Sequence, residues 1–318
     1  MPPKLYIDGQ AGTTALRVRD WLTGRDDLEV VVLPEGLRKD PAARKEALRS
    51  ADIVLLCLPD DAAKEAAGWL SDSSVKILDA STAHRIADGW VYGLPELISG
   101  QRERIAQAQR VANPGCYSSA VILLVRPLVD AGLIAADLAF SVHALSGYSG
   151  GGRAMIERWE NPNGRLHKLP YEAPYSVGKR HKHIPEIIRW GGLTSEPQFI
   201  PAVGPFRCGM RVQVMLPSKA LPKSGIGKAI WETLNARYVE EAFVQVEPLS
   251  NTDDADEFSF DPQAYNDTNR ISLNVLTHPS GHVVLMARLD NLGKGAAGVA
   301  LQNLNLMLGV PEKTGLPV

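Results

Sequence analysis

The sequence predicts an α/β chain in two parts, a Rossmann-type parallel-sheet domain followed by an α+β domain built on a mixed sheet. Three observations predict it. Strand-like and helix-like segments alternate with short connections up to about Cys116. A glycine turn follows the first strand and opens the first helix. Beyond Cys116, strands outnumber helices and alternate in polarity, as antiparallel or mixed sheets do.

In order, Lys4 to Asp8 reads as a buried strand and Ala15 to Leu22 as a helix closing at Gly24. Leu28 to Leu33 is the second strand, Pro41 to Ser50 a helix, and Ala51 to Leu58 the third strand. Asp61 to Leu70 is helical, and Val75 to Asp79 is the fourth strand. An apolar helix, Tyr117 to Ala131, ends at Gly132. Strands are then expected over Leu138–Ala144, Gln198–Val203, Met210–Leu216, Phe243–Val246, Ile271–Leu276 and His282–Ala287. The acidic run Asp253–Glu257 reads as a solvated loop. Gly295 to Leu308 is a helix stopped by Gly309 and Pro311. The predicted domains are therefore 1–115, completed by the helix 295–318, and 116–294.

A chain of 318 residues with 45% hydrophobic and 22% charged residues suits a soluble two-domain protein. The net charge of -2 comes with no basic stripe, which argues against nucleic acid. No apolar run is long enough for a membrane span, and the N-terminus carries no signal-peptide pattern. Cys57, Cys116 and Cys208 are odd in number and lack zinc-site spacing. They read as thiols of a reducing, cytoplasmic compartment, with no metal.

Gly9-Gln10-Ala11-Gly12-Thr13-Thr14 sits at the first βα junction, where helix N–H groups and dipole favour a pyrophosphate. Gly9 and Gly12 would admit the phosphate, and Thr13 and Thr14 would supply hydroxyls. The G-x-x-G pattern is shorter than the full dinucleotide fingerprint, so the bland alternative is a simple strand-to-helix turn. After the second strand comes Pro34-Glu35-Gly36-Leu37-Arg38-Lys39. Two cations there suit a 2′-phosphate and hence NADP(H), with Arg38 as the contact; the alternative is two surface charges.

Asn113-Pro114-Gly115-Cys116-Tyr117 places Cys116 at the start of the apolar helix, where unpaired N–H groups favour the thiolate. Cys57 and Cys208 fit the usual fate of buried thiols better. Gly178 to Glu186 is a dense polar cluster in which Pro185 opens a short helix to Trp190. His181 and His183 would lie two apart on its extended approach, facing the same way. A thiolate enzyme reducing an acyl group needs a proton donor, and histidine suits that near neutrality. Glu186 could orient His183. The alternative is a basic surface loop.

Together these pieces resemble the N-acetyl-γ-glutamyl-phosphate reductase family in its shorter form. The resemblance rests on Asp8–Thr14, on Asp79–Arg85 leading to Tyr92–Glu96, and on Asn113–Tyr117. Ser146–Arg153 and Asp290–Gly298 complete it, and His181–Glu186 is similar to the family's histidine motif. It spans nearly the whole chain.

The resemblance implies NADPH-dependent reduction of N-acetyl-L-glutamyl 5-phosphate to the 5-semialdehyde, with release of phosphate, in arginine biosynthesis. It implies that Cys116 is the nucleophile and that His183, or alternatively His181, is the acid–base group. It also implies that Asn291, Lys294 and Gly295 lie against the cofactor. Phosphate needs cations, so Arg85 and Arg153, with Arg207 behind them, join Glu186 as candidates for the substrate and phosphate site. The second domain would be catalytic and would dimerise, and the family tends toward homodimers or tetramers. Aspartate-semialdehyde dehydrogenase and a non-catalytic nucleotide-binding regulatory protein are the competing readings.

Overall fold

The computed structural model of the chain describes residues 1–221, 225–251 and 259–318, so the acidic run Asp253–Glu257 lies outside the described residues. The chain divides into one unit comprising Met1–Pro114 and Ala296–Leu316, and a second comprising Gly115–Gly295 and Pro317–Val318.

The first unit contains β1 (Lys4–Asp8), α1 (Thr13–Trp21), β2 (Glu29–Val31), α2 (Pro41–Ser50) and β3 (Ile53–Leu56). It continues with α3 (Asp60–Gly68), β4 (Lys76–Asp79), β5 (Val91–Tyr92), α4 (Gln101–Gln107) and β6 (Arg110–Ala112). The strands form one parallel sheet in the order β2-β1-β3-β4-β6-β5. Their side chains make a core in which Tyr6, Val54, Leu56 and Ile77 pack with Leu48, Ala63, Ala66 and Leu70. Asp40 starts α2 by accepting the Ala43 N–H at 2.8 Å, with Pro41 in the first turn where its missing N–H costs nothing. The C-terminal helix Gly298–Leu308 packs on α4 and β4 and ends at Gly309, whose φ of 72° only glycine adopts readily. The sequence does not predict β5 and β6, because runs of two or three paired residues carry no readable alternation, nor α4, which buries only Gln101 and Ile105 and so shows no apolar stripe.

The second unit contains α5 (Cys116–Asp130), β7 (Ser141–Gly147), α6 (Gly152–Glu160), β8 (Ala173–Pro174), α7 (Ile184–Gly191), β9 (Gln198–Gly204) and β10 (Met210–Leu216). Then come α8 (Ile226–Tyr238), β11 (Val244–Val246), β12 (Ser250–Asn251), β13 (Ile271–Thr277) and β14 (Val283–Leu289). The sheet is mixed, in the order β11-β13-β14-β10-β7-β9-β8, with β12 also on β13. Its β13-β14-β10-β7 centre is antiparallel, while β7 and β9 run parallel. The expected strand from Leu138 begins instead at Ser141, because Leu138 N–H closes a turn onto the Ala135 carbonyl.

Helix α5 is buried along most of its length and packs against α7, α8, β10 and β14. Its composition is apolar all round, as a central helix requires. Pro127 inside it cannot donate an N–H, which strips the Leu123 carbonyl of its helical partner. The Tyr238 hydroxyl of α8 donates to that carbonyl at 2.8 Å. The central helix therefore carries its proline without a buried orphan.

Candidate active site

In the first unit, Gly9 closes the turn after β1 with φ +86°, and a Cβ there would lie 2.2 Å from the Cys57 carbonyl oxygen. No residue with a side chain fits. Gly12 N–H bonds the Gly9 carbonyl at 2.9 Å, and Gly12 caps α1 without a capping side chain. The first turn of α1, with Thr13 and Thr14, contains no acid. This leaves a positive helix end in a turn whose two glycines pack against the Cys57 backbone. Gln10 is only 5% exposed, and neither of its amide atoms has a hydrogen-bond partner among the described residues. Arg38 follows β2 half-buried, its Nε donating to the Leu33 carbonyl at 3.2 Å, while Lys39 is exposed. Asp8 is paired with Arg44 of α2 at 2.8 Å.

Arg85 is buried, with Nε on the Asn113 carbonyl at 3.0 Å and Nη2 on the Ala80 carbonyl at 3.4 Å. Asn113 is also held through its side chain by Asn303 at 3.1 Å and by the Ala296 carbonyl at 3.1 Å. The guanidinium expected to meet phosphate thus braces the chain three residues before Cys116. Asp79, at the end of β4, accepts from Ser81 and contacts His84 Nδ1 at 2.6 Å; His84 stacks on Trp90. Of this stretch the sequence singles out only Arg85. The Cys57 thiol is pushed up to about 12 by burial, with Asp79 and Asp8 adding to the effect.

In the second unit, Cys116 is the first residue of α5, and Gly115 caps the helix with extended backbone. The Glu186 carboxylate, 1% exposed, accepts the Gly115 N–H at 3.2 Å. A Cβ on Gly295 would stand 2.7 Å from Cys116 Cβ, so the turn Gly293–Ala297 presses backbone onto the cysteine.

His181 and His183 are both buried, but on a turn rather than an extended approach: His183 has φ -84° and ψ -12° and caps α7. The turn brings their rings to 4.7 Å, nearly perpendicular. His183 N–H donates to His181 Nδ1 at 3.2 Å, which leaves the neutral ring's proton on Nε2. That Nε2 lies 3.4 Å from the Tyr175 hydroxyl, which donates to the Tyr117 hydroxyl at 3.3 Å. Tyr117 in turn donates to the Ala202 carbonyl at 3.4 Å. Burial pushes Tyr175 up to about 12 and Tyr117 well above its ordinary range, and a negative charge on Cys116 raises both. The two phenols therefore stay protonated within electrostatic reach of the sulfur. Neither tyrosine was anticipated. The only sequence signal is a Tyr beside the cysteine and another six residues before His181.

Arg153 and Arg207 have side chains 74% and 60% exposed and pair with Glu157 and Glu160. Asn291 spends its amide on Gly209 N–H at 2.8 Å and Ser149 Oγ at 2.9 Å. Lys294 is fully buried, its Nζ 5.5 Å above the Phe243 ring. Gly295, which resemblance groups with these two residues, lies against the cysteine. Among the described residues no group of three His, Cys, Asp or Glu side chains could hold a metal, and no helix is long and apolar enough to cross a membrane.

Residues 32–108 match the family model for the semialdehyde dehydrogenase NAD binding domain, and residues 116–291 that for the semialdehyde dehydrogenase dimerisation domain. The chain is 47% identical to N-acetyl-gamma-glutamyl-phosphate reductase 2 of Pseudomonas putida, over 98% of this chain and 99% of that protein. The chain belongs to the N-acetyl-γ-glutamyl-phosphate reductase family. Members from Nostoc and Burkholderia lata are each 46% identical, over 99% and 98% of this chain and of equal shares of their own lengths. The family fold is shared more widely. Aspartate semialdehyde dehydrogenase II of Vibrio cholerae, complexed with ASA, superposes with a TM-score of 0.71 at 14% identity, covering 97% of this chain and 99% of that one. The Candida albicans aspartate semialdehyde dehydrogenase with NADP gives 0.63 at 13% identity over 99% of both chains.

Proposed function

We propose that this reductase converts N-acetyl-L-glutamyl 5-phosphate to N-acetyl-L-glutamate 5-semialdehyde with NADPH, releasing phosphate, in cytoplasmic arginine biosynthesis. One observation supports the chemistry above the others: Cys116 begins a buried helix, with Gly295 against it and the His181–Tyr175–Tyr117 chain within electrostatic reach.

The residues of the Gly9–Thr14 turn fit a dinucleotide. Gly9 and Gly12 make a tight strand-to-helix turn, α1 offers an uncapped positive end, and Gln10 holds an unsatisfied amide. Arg38 is our candidate for the 2′-phosphate. Once bound, NADPH supplies the hydride that turns the thioester into a thiohemiacetal.

The protein's own residues do the rest. The Cys116 thiolate, favoured by the α5 N-terminus, attacks the acyl carbon; the C–S bond forms as the C–O bond to phosphate breaks and phosphate leaves. Helix N–H groups at the start of α5 receive the oxyanion, a contribution of about 3 kcal/mol per donor in such sites. Collapse of the thiohemiacetal frees the aldehyde and returns the electron pair to sulfur, while the hydroxyl proton goes to a base. We assign that proton to the His183 imidazole, because His181 already receives the His183 backbone N–H at Nδ1 and carries its own proton at Nε2, toward the Tyr175 hydroxyl. The Glu186 carboxylate fixes the start of α5.

We also assign a homo-oligomer. One face of the second sheet is covered by α5 and α8, while the other presents Met215, Val284 and Ile200, none of them fully buried. Cys57, Cys116 and Cys208 form no disulfide, which suits a reducing compartment.

The deciding assay is phosphate-dependent reduction of NADP+ by N-acetylglutamate 5-semialdehyde, run beside aspartate semialdehyde. Cys116→Ala should abolish turnover while keeping NADPH binding. Equal rates with both aldehydes, or an active alanine variant, would overturn the assignment.

A further inference from the structure

Gln10 stands in the turn between β1 and α1, and its isolation there is unusual. The residue is 5% exposed, yet Nε2 and Oε1 both lack a hydrogen-bond partner among the described residues. A buried carboxamide left unpaired is disfavoured, and proteins keep such groups chiefly where a ligand or a function completes them. Local capping does not explain it. Gly12 caps α1 without a side-chain bond, and the turn itself is closed by backbone, Gly12 N–H to the Gly9 carbonyl at 2.9 Å. Gly9 in turn is pinned against the Cys57 carbonyl, which fixes where the following residue begins.

Chemistry narrows the missing partner. Nε2 can only donate and Oε1 can only accept. A phosphate oxygen would satisfy the first and face the second with like charge, and the α1 N–H groups already provide for phosphate. The complement of a whole carboxamide is a group that donates and accepts at once.

We propose that Gln10 is a cofactor-binding residue whose carboxamide pairs with a donor–acceptor group of the dinucleotide, a ribose hydroxyl or the nicotinamide carboxamide. The proposal rests on the NADPH reading above. It makes the cofactor-free turn the less satisfied state and gives Gln10 a share of the affinity.

Gln10→Met keeps the length of the side chain and removes both polar atoms. NADPH binding to the full chain is followed by fluorescence titration, and melting is followed without cofactor. The variant should bind NADPH about tenfold more weakly, the loss of one to two hydrogen bonds. It should also melt about 2 °C higher without cofactor, because the orphaned amide is gone. A structural glutamine would do the reverse, so a lower melting temperature overturns the proposal, as does unchanged affinity. Titration with 2′,5′-ADP places the partner: equal weakening puts it on the adenosine ribose, and no weakening puts it on the nicotinamide half. Wild-type protein that fails to bind NADPH would instead sink the cofactor reading itself.

Discussion

Gly295→Ala is the sharpest perturbation of the proposed nucleophile. The added carbon would lie 2.7 Å from Cys116 Cβ, 3.1 Å from the Asp290 carbonyl oxygen and 3.4 Å from Cys116 Cα. Ordinary contact begins near 3.4 Å, so the closest pair must separate by about 0.7 Å. None of the three atoms ends a flexible side chain, and the Gly295 N–H is itself bonded to the Asp290 carbonyl at 3.0 Å. The start of α5 has to move. A displacement near 1 Å in a reacting group costs on the order of a hundredfold in rate. We therefore expect kcat to fall about 30- to 100-fold, roughly 2 to 3 kcal/mol of barrier, with NADPH affinity within about twofold of wild type. The assay is phosphate-dependent reduction of NADP+ by the semialdehyde, with circular dichroism to confirm folding. A folded Gly295→Ala enzyme with wild-type kcat would refute the placement of the reacting sulfur.

Other expectations follow from the same geometry. At pH 8 iodoacetamide should label Cys116 and spare Cys57, because a thiol pushed up to about 12 by burial is only ~10⁻⁴ ionised there; peptide mapping that finds Cys57 modified at a similar rate would contradict this. Arg38→Ala should raise the KM for NADPH far more than that for NADH, and equal effects would remove the 2′-phosphate assignment. Arg44→Met leaves the Asp8 carboxylate, 2% exposed, without its ion pair and should cost about 3 to 5 kcal/mol in urea unfolding. Adding Asp8→Asn should recover much of that loss; a double variant as unstable as the single one would show that the pair is not the cause.

The architecture was legible because both sheets follow their own rules. The parallel one alternates with helices, and β10, β13 and β14 begin within a residue of where polarity alternation put them. Cys116 was legible because proline and glycine before an apolar run mark a helix start. The partners of that cysteine were not. Tyr175 and His181 meet Tyr117 only through a turn whose backbone no periodicity describes. The directions of the arginine side chains were not legible for a related reason. A sequence shows charge beside flexible residues but not whether the side chain turns inward, as Arg85 does onto carbonyls, or outward, as Arg153 and Arg207 do. Asn291 and Lys294 are expected at the cofactor by resemblance alone, and no sequence signal marks how deeply both are buried.

The proline within α5 has a consequence for how this chain tolerates change. Pro127 and Tyr238 are 111 positions apart in the sequence, yet one removes an amide donor and the other replaces it with a phenol. Losing Tyr238 first strands a carbonyl in the interior; exchanging Pro127 for alanine first returns the amide and makes the hydroxyl dispensable. Substitutions at these two sites are thus acceptable in one order and penalised in the other, which ties the drift of α8 to that of the helix bearing the sulfur.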